Sequence, residues 1–477
     1  MAQGLEPVPP TQVSRRYNPD FHDQYELNDV ASSASHVADS AAAVEDPHNE
    51  DLTVDINSIL EREQMTLPRA DGGKDAWLFL AGCFTIEALV WGFPFSFGIF
   101  QDYYTNLPLF ASNPSGIAII GTSASGIMYL GAPFIFFALQ AWPRFRRIFS
   151  YAGLAILTIA IVLSSFSTTV DHLIVSQGIF YAIGGSLLYS PTILYLDEWF
   201  ITRKGFAFGV MWAGTGVAGV AVPFIMSWGL SKYGFRTMLR AWAVVLIVLS
   251  SPLIYYVKPR IPTSHRTTTT RRPTSFQFLL SPTFWLLEAG NIVEGLGFFI
   301  PSFYLPSYGQ GLGLPNLSGS LIIALINLSS IFGQIGFGAL TDRLHVTTVI
   351  LISTAGATLS VFLMWGLATS LPLLCVFALV YGVFGGGFSS TWTGVIKEVQ
   401  RSTPTAETGN VFGWLAAGRG VGAVVSGPLS EALLKWEPWK GQASLGYGSG
   451  YGPLIVFTGV TAFCGGLSFA ARQAKLI

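Results

Sequence analysis

Charge is what this 477-residue chain has little of. Asp, Glu, Lys and Arg make up 11% of it and hydrophobic residues 51%, where an ordinary soluble domain carries about 25% charged residues. Such a chain lacks the polar side chains to face water on all sides and is expected to sit in lipid. Cysteine is also scarce. Cys83, Cys375 and Cys464 stand far apart in apolar runs, which excludes a disulfide framework and a cysteine-based metal cluster and leaves them as packing residues. No phosphate-binding glycine loop occurs and no polar stretch could hold an ATPase, so any uphill work would have to draw on a gradient. No nucleophile with its base, and no paired carboxylates, share a plausible loop. Enzymatic activity is therefore not expected, and nothing calls for a metal, a cofactor, a nucleic acid or an obligatory protein partner.

The net charge of -1 hides a split. Residues 1–75 hold 15 of the 27 acidic residues but 5 of the 26 basic ones, so the remainder is basic by nine. Residues 1–69 are rich in Ala, Ser, Asp, Glu and Pro and have too little apolar surface to offset the entropy of ordering. Residues 1–75 are accordingly read as a disordered cytoplasmic tail. No apolar segment with a cleavage site follows the start, which argues against a secretory signal, and the acidic charge argues against a mitochondrial presequence.

From Ala76 the chain becomes a series of apolar runs of roughly 18–25 residues, the length that spans a hydrocarbon core about 30 Å thick. Twelve are counted: 76–101, 115–140, 148–167, 172–195, 205–230, 237–257, 283–308, 317–340, 346–367, 371–395, 409–431 and 452–472. Between the sixth and seventh, residues 258–282 carry Lys258, Arg260, Arg266, Arg271 and Arg272 among Thr and Pro. The division expected is a six-helix bundle over 76–257, a cytoplasmic linker over 258–282, a second bundle over 283–472 and a cytoplasmic end over 473–477. Basic loops are retained in the cytoplasm. Thirteen Lys and Arg residues fall on the linker side and five on the other, which places both termini inside. The cluster Lys232, Arg236 and Arg240 is the exception.

The chain is organised around Gly409 to Pro428, where Arg419 stands alone in an apolar, glycine-rich helix. Shifting by 204 places aligns Gly205, Phe208, Gly209, Ala213, Gly214, Gly216, Val217 and Val220 with Gly409, Phe412, Gly413, Ala417, Gly418, Gly420, Val421 and Val424. Two copies of one helix are implied, with Thr215 opposite Arg419. Two parallel repeats about a basic linker are the pattern of the major facilitator architecture. After the eighth run, Gly338-Ala339-Leu340-Thr341-Asp342-Arg343 resembles that superfamily's G-x-L-x-D-R gating loop. The first half has Pro133, Ile135 and Phe137 where Gly, Leu and Asp would stand.

Asp71-Gly72-Gly73-Lys74-Asp75-Ala76-Trp77 precedes the first run. Glu198-Trp199-Phe200 leads into Arg203-Lys204-Gly205-Phe206-Ala207 before the fifth. Together they resemble the two motifs of the monocarboxylate porter family, and the D-G-G-x-x-A-W form resembles its fungal branch, over about residues 70–472. The resemblance implies an all-α membrane protein with twelve transmembrane helices in two six-helix bundles, and a secondary transporter. Animal proton-coupled members carry a lysine in a P-K-S stretch of the first helix, where this chain has Pro94-Phe95-Ser96. They also carry Asp and Arg four apart in the eighth helix, where it has Asn327-Leu328-Ser329-Ser330-Ile331, with Gln334 beyond. Lactate-proton symport does not carry over.

Arg419 lies ten residues past Gly409, or roughly 15 Å at 1.5 Å per residue, at the bilayer midplane. Glu87 and Glu294 reach similar depth. Arg419 is expected either to bind a substrate anion through paired N–H donors or to lock helices by pairing with Glu294 or Glu87. Glu87 and Glu294 are candidate proton-coupling groups. Asn291, on the Glu294 face, with Trp91 and Asn327 completes the expected substrate site, and Asp342, Arg343, Arg203 and Lys204 the gating loop. Glu288, five residues into its run, is expected at the interface. Trp212, Phe298, Trp392 and Trp414 are further candidates for a pocket wall. Gly92, Pro94 and Gly98 in the first run, and Gly290, Gly295, Gly297, Pro301 and Pro306 in the seventh, are expected to break helices at hinges. Glycines four apart in the fifth and eleventh runs read as close packing. Asn316-Leu317-Ser318 is a glycosylation triplet expected to go unused.

The leading expectation is a secondary active transporter of a small organic molecule, foremost a monocarboxylate or other organic anion, with protons as candidate coupling ion. Efflux of a larger secondary metabolite or xenobiotic is the alternative, and a membrane sensor of transporter ancestry the alternative of another class. The plasma membrane is the expected location, with a vacuolar or other organelle membrane second.

Overall fold

The computed structural model describes residues 67–110, 114–261, 275–315, 317–436 and 439–475. The expected tail over residues 1–66, most of the linker and Asn316 of the glycosylation triplet lie outside the described residues. Among those described, every regular element is helical.

The helices form twelve rods. In the first half, α1 is Lys74–Thr105, α2 is Pro114–Leu130 with Ala132–Ala141, α3 is Pro143–Ser164 and α4 is Val170–Trp199. The run Lys204–Tyr256 is 53 residues long and is interrupted by Gly234, whose φ of 73° is left-handed and costs glycine nothing sterically. Gly229 packs on the Met238 sulfur. A straight helix would hold those positions roughly 13 Å apart, so the run doubles back as two rods, α5 (204–233) and α6 (235–256). In the second half, α7 is Pro282–Phe298 with Ile300–Gly311, α8 is Leu317–Thr341 and α9 is Val346–Trp365. Leu371–Ser402, Thr408–Trp436 and Gly452–Gln473 follow as α10, α11 and α12. Each rod meets one expected run. Counting the α5–α6 run as one helix, eight of the described helices, or nine with the bent α2, are by themselves long and apolar enough to cross a membrane. α7 falls short because its break leaves pieces of 17 and 12 residues.

The expected interruptions fall in equivalent rods. α1 breaks at Ser96 and α7 at Phe299, each between two helical pieces. Glycines set the closest crossings. A Cβ on Gly205 or Gly338 would collide with the other's carbonyl oxygen, and one on Gly209 with that of Gln334, so α5 and α8 meet backbone to backbone. α2 and α11 meet similarly, a Cβ on Gly413 standing 3.0 Å from the Pro133 Cα.

The buried apolar side chains fall into two clusters. One joins the first half to the linker end of the second, through Phe284, Trp392 and Phe412 among others. The other is confined to the far end of the second half, around Leu305, Trp365, Phe377 and Leu454.

The basic cluster that departs from the charge pattern is clothed in aromatic rings. The Lys232 ammonium lies 5.4 Å from the Trp228 and Tyr233 rings, and the Arg236 guanidinium 5.7 Å from Phe235. Arg240 sits 4.7 Å over Phe166 and donates from Nε to Ser165 Oγ at 3.1 Å. Their long stems let these cations cover apolar surface while the heads stay near water.

Candidate functional site

Arg419 owes its position to glycine. Gly295 of α7 lies against the Arg419 and Gly422 backbones of α11, so the guanidinium crosses onto α7 within one helix turn. There it pairs through Nη1 with Glu294 Oε2. Its Cζ lies 4.0 Å from the Phe298 ring centre, with Phe388 at 5.6 Å and Phe299 at 5.7 Å. Arg419 is 2% exposed and Glu294 4%. In this conformation the cation thus has a protein counter-charge and an aromatic sleeve, the helix-locking arrangement of the two expected. A substrate anion would have to compete with Glu294.

The first half supplies the facing wall. Glu87 is 3% exposed, and its Oε2 has no hydrogen-bond partner among the described residues. One turn on, the Trp91 ring packs on Tyr129 at 4.7 Å, and on Phe95 and Tyr189 at 5.7 Å. Tyr129 joins the halves: it lies within electrostatic reach of both Glu87 and Arg419, and Gly420 leaves room for its Cβ at 2.6 Å from where a side chain would begin.

The remaining expected substrate residues are placed differently. Asn291 shares a helix with Glu294 but turns to Glu288, the Leu415 carbonyl and Trp392. Asn327 donates to the Gly219 and Ile323 carbonyls at 3.3 and 3.1 Å, where α5 crosses α8, and serves that crossing. Glu288, expected at the interface, is 3% exposed. Helix position alone suggested an interfacial place, but Gly418 opens a space that the Glu288 carboxyl fills. Trp414 lines an apolar recess of about 450 Å³ with Leu130, Pro133, Phe134 and Phe137, on the exposed flank of the α2–α11 seam.

Between this site and the linker, buried rings close the passage. Phe412 of α11 packs with Phe136 at 5.2 Å, Trp212 at 6.0 Å and Phe208 at 6.4 Å from the first half, and with Trp392 at 5.4 Å from its own. Trp212 meets Trp392 edge-on at 5.8 Å. Beyond the rings, two carboxylates hold the start of α5, where free N–H groups favour negative charge. Asp342 accepts from Gly205 N and Phe206 N at 2.8 and 2.9 Å and takes Lys397 at 3.4 Å. Asp71 accepts from Ile201 N, Thr202 N and Arg203 N at 2.9 to 3.1 Å. Residues 70–75, assigned above to the tail, are thereby tied to the loop before α5. Lys204 pairs with Asp197 at 2.7 Å, while the Arg203 and Arg343 side chains are exposed. The first-half loop that lacks the aspartate has swapped polarity. Arg146 is buried, donates from Nε to the Leu139 carbonyl at 2.8 Å and faces Glu407 at the start of α11. Burial pushes the Glu407 carboxyl up, and Arg146 partly offsets it.

Sequence reading missed Tyr129, Tyr189, Phe388 and the burial of Glu288. A signal for Glu288 existed: Glu288, Asn291 and Glu294 recur every three residues along one stripe of an apolar helix.

The Major Facilitator Superfamily model matches residues 78–428. The chain is 27% identical over 410 residues to the MFS transporter asaE of Aspergillus flavus, covering 84% of this chain and 86% of that protein. It is 28% identical over 405 residues to the fujikurins efflux protein of Gibberella fujikuroi, covering 83% and 82%. To the aspyridones efflux protein apdF of Emericella nidulans it is 25% identical over 417 residues, covering 85% and 79%. Among solved structures, the human organic anion transporter MFSD10 (TETRAN) matches with a TM-score of 0.57 at 14% identity, over 81% of this chain and 97% of that one, a likeness of fold alone. The paired helix breaks, the glycine crossings of α5 with α8 and α2 with α11, and a family model spanning most of the chain lead to one conclusion: this multi-pass membrane protein belongs to the Major Facilitator Superfamily.

Proposed function

We propose that the protein is a secondary active exporter of an organic secondary metabolite rich in aromatic or apolar surface, working by alternating access with linker and termini in the cytoplasm. The observation that carries this reading is the charge balance of the central site. Two buried carboxyls, Glu87 and Glu294, stand against one guanidinium, and that guanidinium is taken by Glu294. If both ionise, the formal excess is one negative charge, which disfavours a further anion. The wall facing Arg419 is instead made of Trp91, Tyr129 and Tyr189, rings that bind flat apolar groups by area and quadrupole. Two relatives bearing efflux names support the direction of transport.

An organic anion such as a monocarboxylate is the second reading, favoured by Arg419 lying where the halves meet. It requires the anion to displace Glu294 and protons to offset the acidic excess.

Untargeted mass spectrometry of cells and medium, with and without the protein, separates the readings. Export predicts that one group of aromatic metabolites moves from cells to medium, and that Trp91→Ala abolishes the shift. A shift confined to small carboxylates would favour the second reading, and no shift at all would refute export.

A further inference from the structure

Glu288 takes no part in the binding wall, yet it is buried as deeply as Glu87. Among the described residues no Lys, Arg or His pairs with it. Its partners are neutral, the Asn291 amide and the Gly418 backbone. Asn291 Nδ2 donates to Glu288 Oε2 at 3.2 Å and to the Leu415 carbonyl at 2.8 Å, while Asn291 Oδ1 accepts from Trp392 Nε1 at 3.2 Å. The second carboxyl oxygen fills the space a side chain on Gly418 would need. Charged groups on the helices packed around it are engaged elsewhere. Arg419 is with Glu294, Lys397 with Asp342, Glu398 with His345 and Arg401, and Lys435 with Glu431. Arg472 of α12 stands near His345, and Glu407 faces Arg146.

An ionised carboxylate held in such surroundings without a counter-charge costs several kcal/mol. A neutral carboxylic acid costs far less and still accepts from Asn291. Trp392, at the other end of this chain of bonds, packs on Trp212 of the first half and on Phe412. The carboxyl is therefore connected to the aromatic seal by two hydrogen bonds that share one amide.

We propose that Glu288 is a proton-binding site whose occupancy sets the linker-side seal. With the proton bound, Asn291 holds Trp392 against Trp212 and Phe412. With it released, the carboxylate requires water, and parting the rings supplies it. Protonation and closure are then linked, because a ligand shifts a conformational equilibrium toward the state that binds it better. The inference rests on the transport reading for its purpose, since it names the group through which a proton gradient would act on the gate.

The test uses the full-length protein in lipid nanodiscs without substrate. Infrared spectroscopy reads the C=O stretch of a protonated carboxyl. Hydrogen exchange of residues 409–415, corrected for intrinsic rate, reads opening of the seal. The expected wild-type result is a carboxylic-acid band that Glu288→Gln removes and Glu87→Gln leaves, together with opening that rises about tenfold per pH unit, the slope for one proton. Glu288→Gln should lose that slope. Asn291→Leu should keep the band and lose the slope, which a merely structural role for Glu288 would not produce. Should Glu288→Gln fail to fold, Glu288→Asp gives a displaced band and Asn291→Leu the second readout. An unchanged band or a wild-type slope in Glu288→Gln, or a retained slope in Asn291→Leu, overturns the proposal. Both signatures in a protein that moves no solute would uphold the proton site while refuting the transport reading.

Discussion

The pair of Arg419 and Glu294 makes a quantitative prediction. Their side chains are 3% and 5% exposed, so both charges have left water and each is compensated mainly by the other. Removing one partner of a buried pair strands the other and costs about 3–5 kcal/mol. The two single substitutions should differ. Glu294→Gln leaves the guanidinium its aromatic sleeve, with Phe298 at 4.0 Å, and such a contact is worth up to about 2 kcal/mol when desolvated. Arg419→Met loses the sleeve contact as well and strands a carboxylate, so it should be the more damaging. The double variant strands nothing and should be more stable than Arg419→Met alone, with a coupling of about 2–3 kcal/mol. Unfolding of the purified proteins in detergent micelles, followed by tryptophan fluorescence, measures all four corners of the cycle. Acid should relieve Arg419→Met, because the stranded carboxylate can be neutralised. Losses that simply add in the double variant would refute the dependence of each charge on the other.

Two further contrasts follow from the linker face and the glycine crossings. Asp71 binds its own half, so Asp71→Ala should lower the unfolding free energy by about 1–2 kcal/mol, as expected for a few half-exposed charge-assisted bonds, without changing hydrogen exchange at residues 205–212 relative to the rest of the protein. Asp342 binds across the halves, so Asp342→Ala should raise exchange there selectively, and equal effects of the two variants would refute this division. Gly209→Ala drives a methyl group into the Gln334 backbone and should cost about 1–3 kcal/mol by overpacking. Gly336→Ala meets nothing within 4 Å and should be neutral by the same fluorescence-detected unfolding.

The twelve rods were legible because each carries a run of membrane length, and the halves because their glycines repeat. The break in α7 was legible for the same reason: Gly295, Gly297 and Pro301 bracket it. The site was legible only in part. Depth along a helix can be counted, and it placed Arg419 with Glu294. The direction a side chain takes across a helix pair depends on which neighbour is small. Glu288 is buried because Gly418, on a different helix, leaves a vacancy, and Asn291 turns from Glu294 because the Leu415 carbonyl stands within reach. The two family motifs were read as separate marks, yet Asp71 of the first accepts three N–H bonds from the chain that joins Phe200 to Lys204 of the second. A contact between residues some 130 positions apart leaves no periodic trace.

Because the far end of the second half keeps a self-contained set of apolar side chains, it can swing as a rigid lever without exposing them. The linker end has no such freedom, since its rings lean on those of the opposite half and must be unzipped before the two part. Opening the two ends therefore makes unequal demands: on the linker side ring contacts between the halves have to be broken first, whereas the cluster at the other end can stay intact.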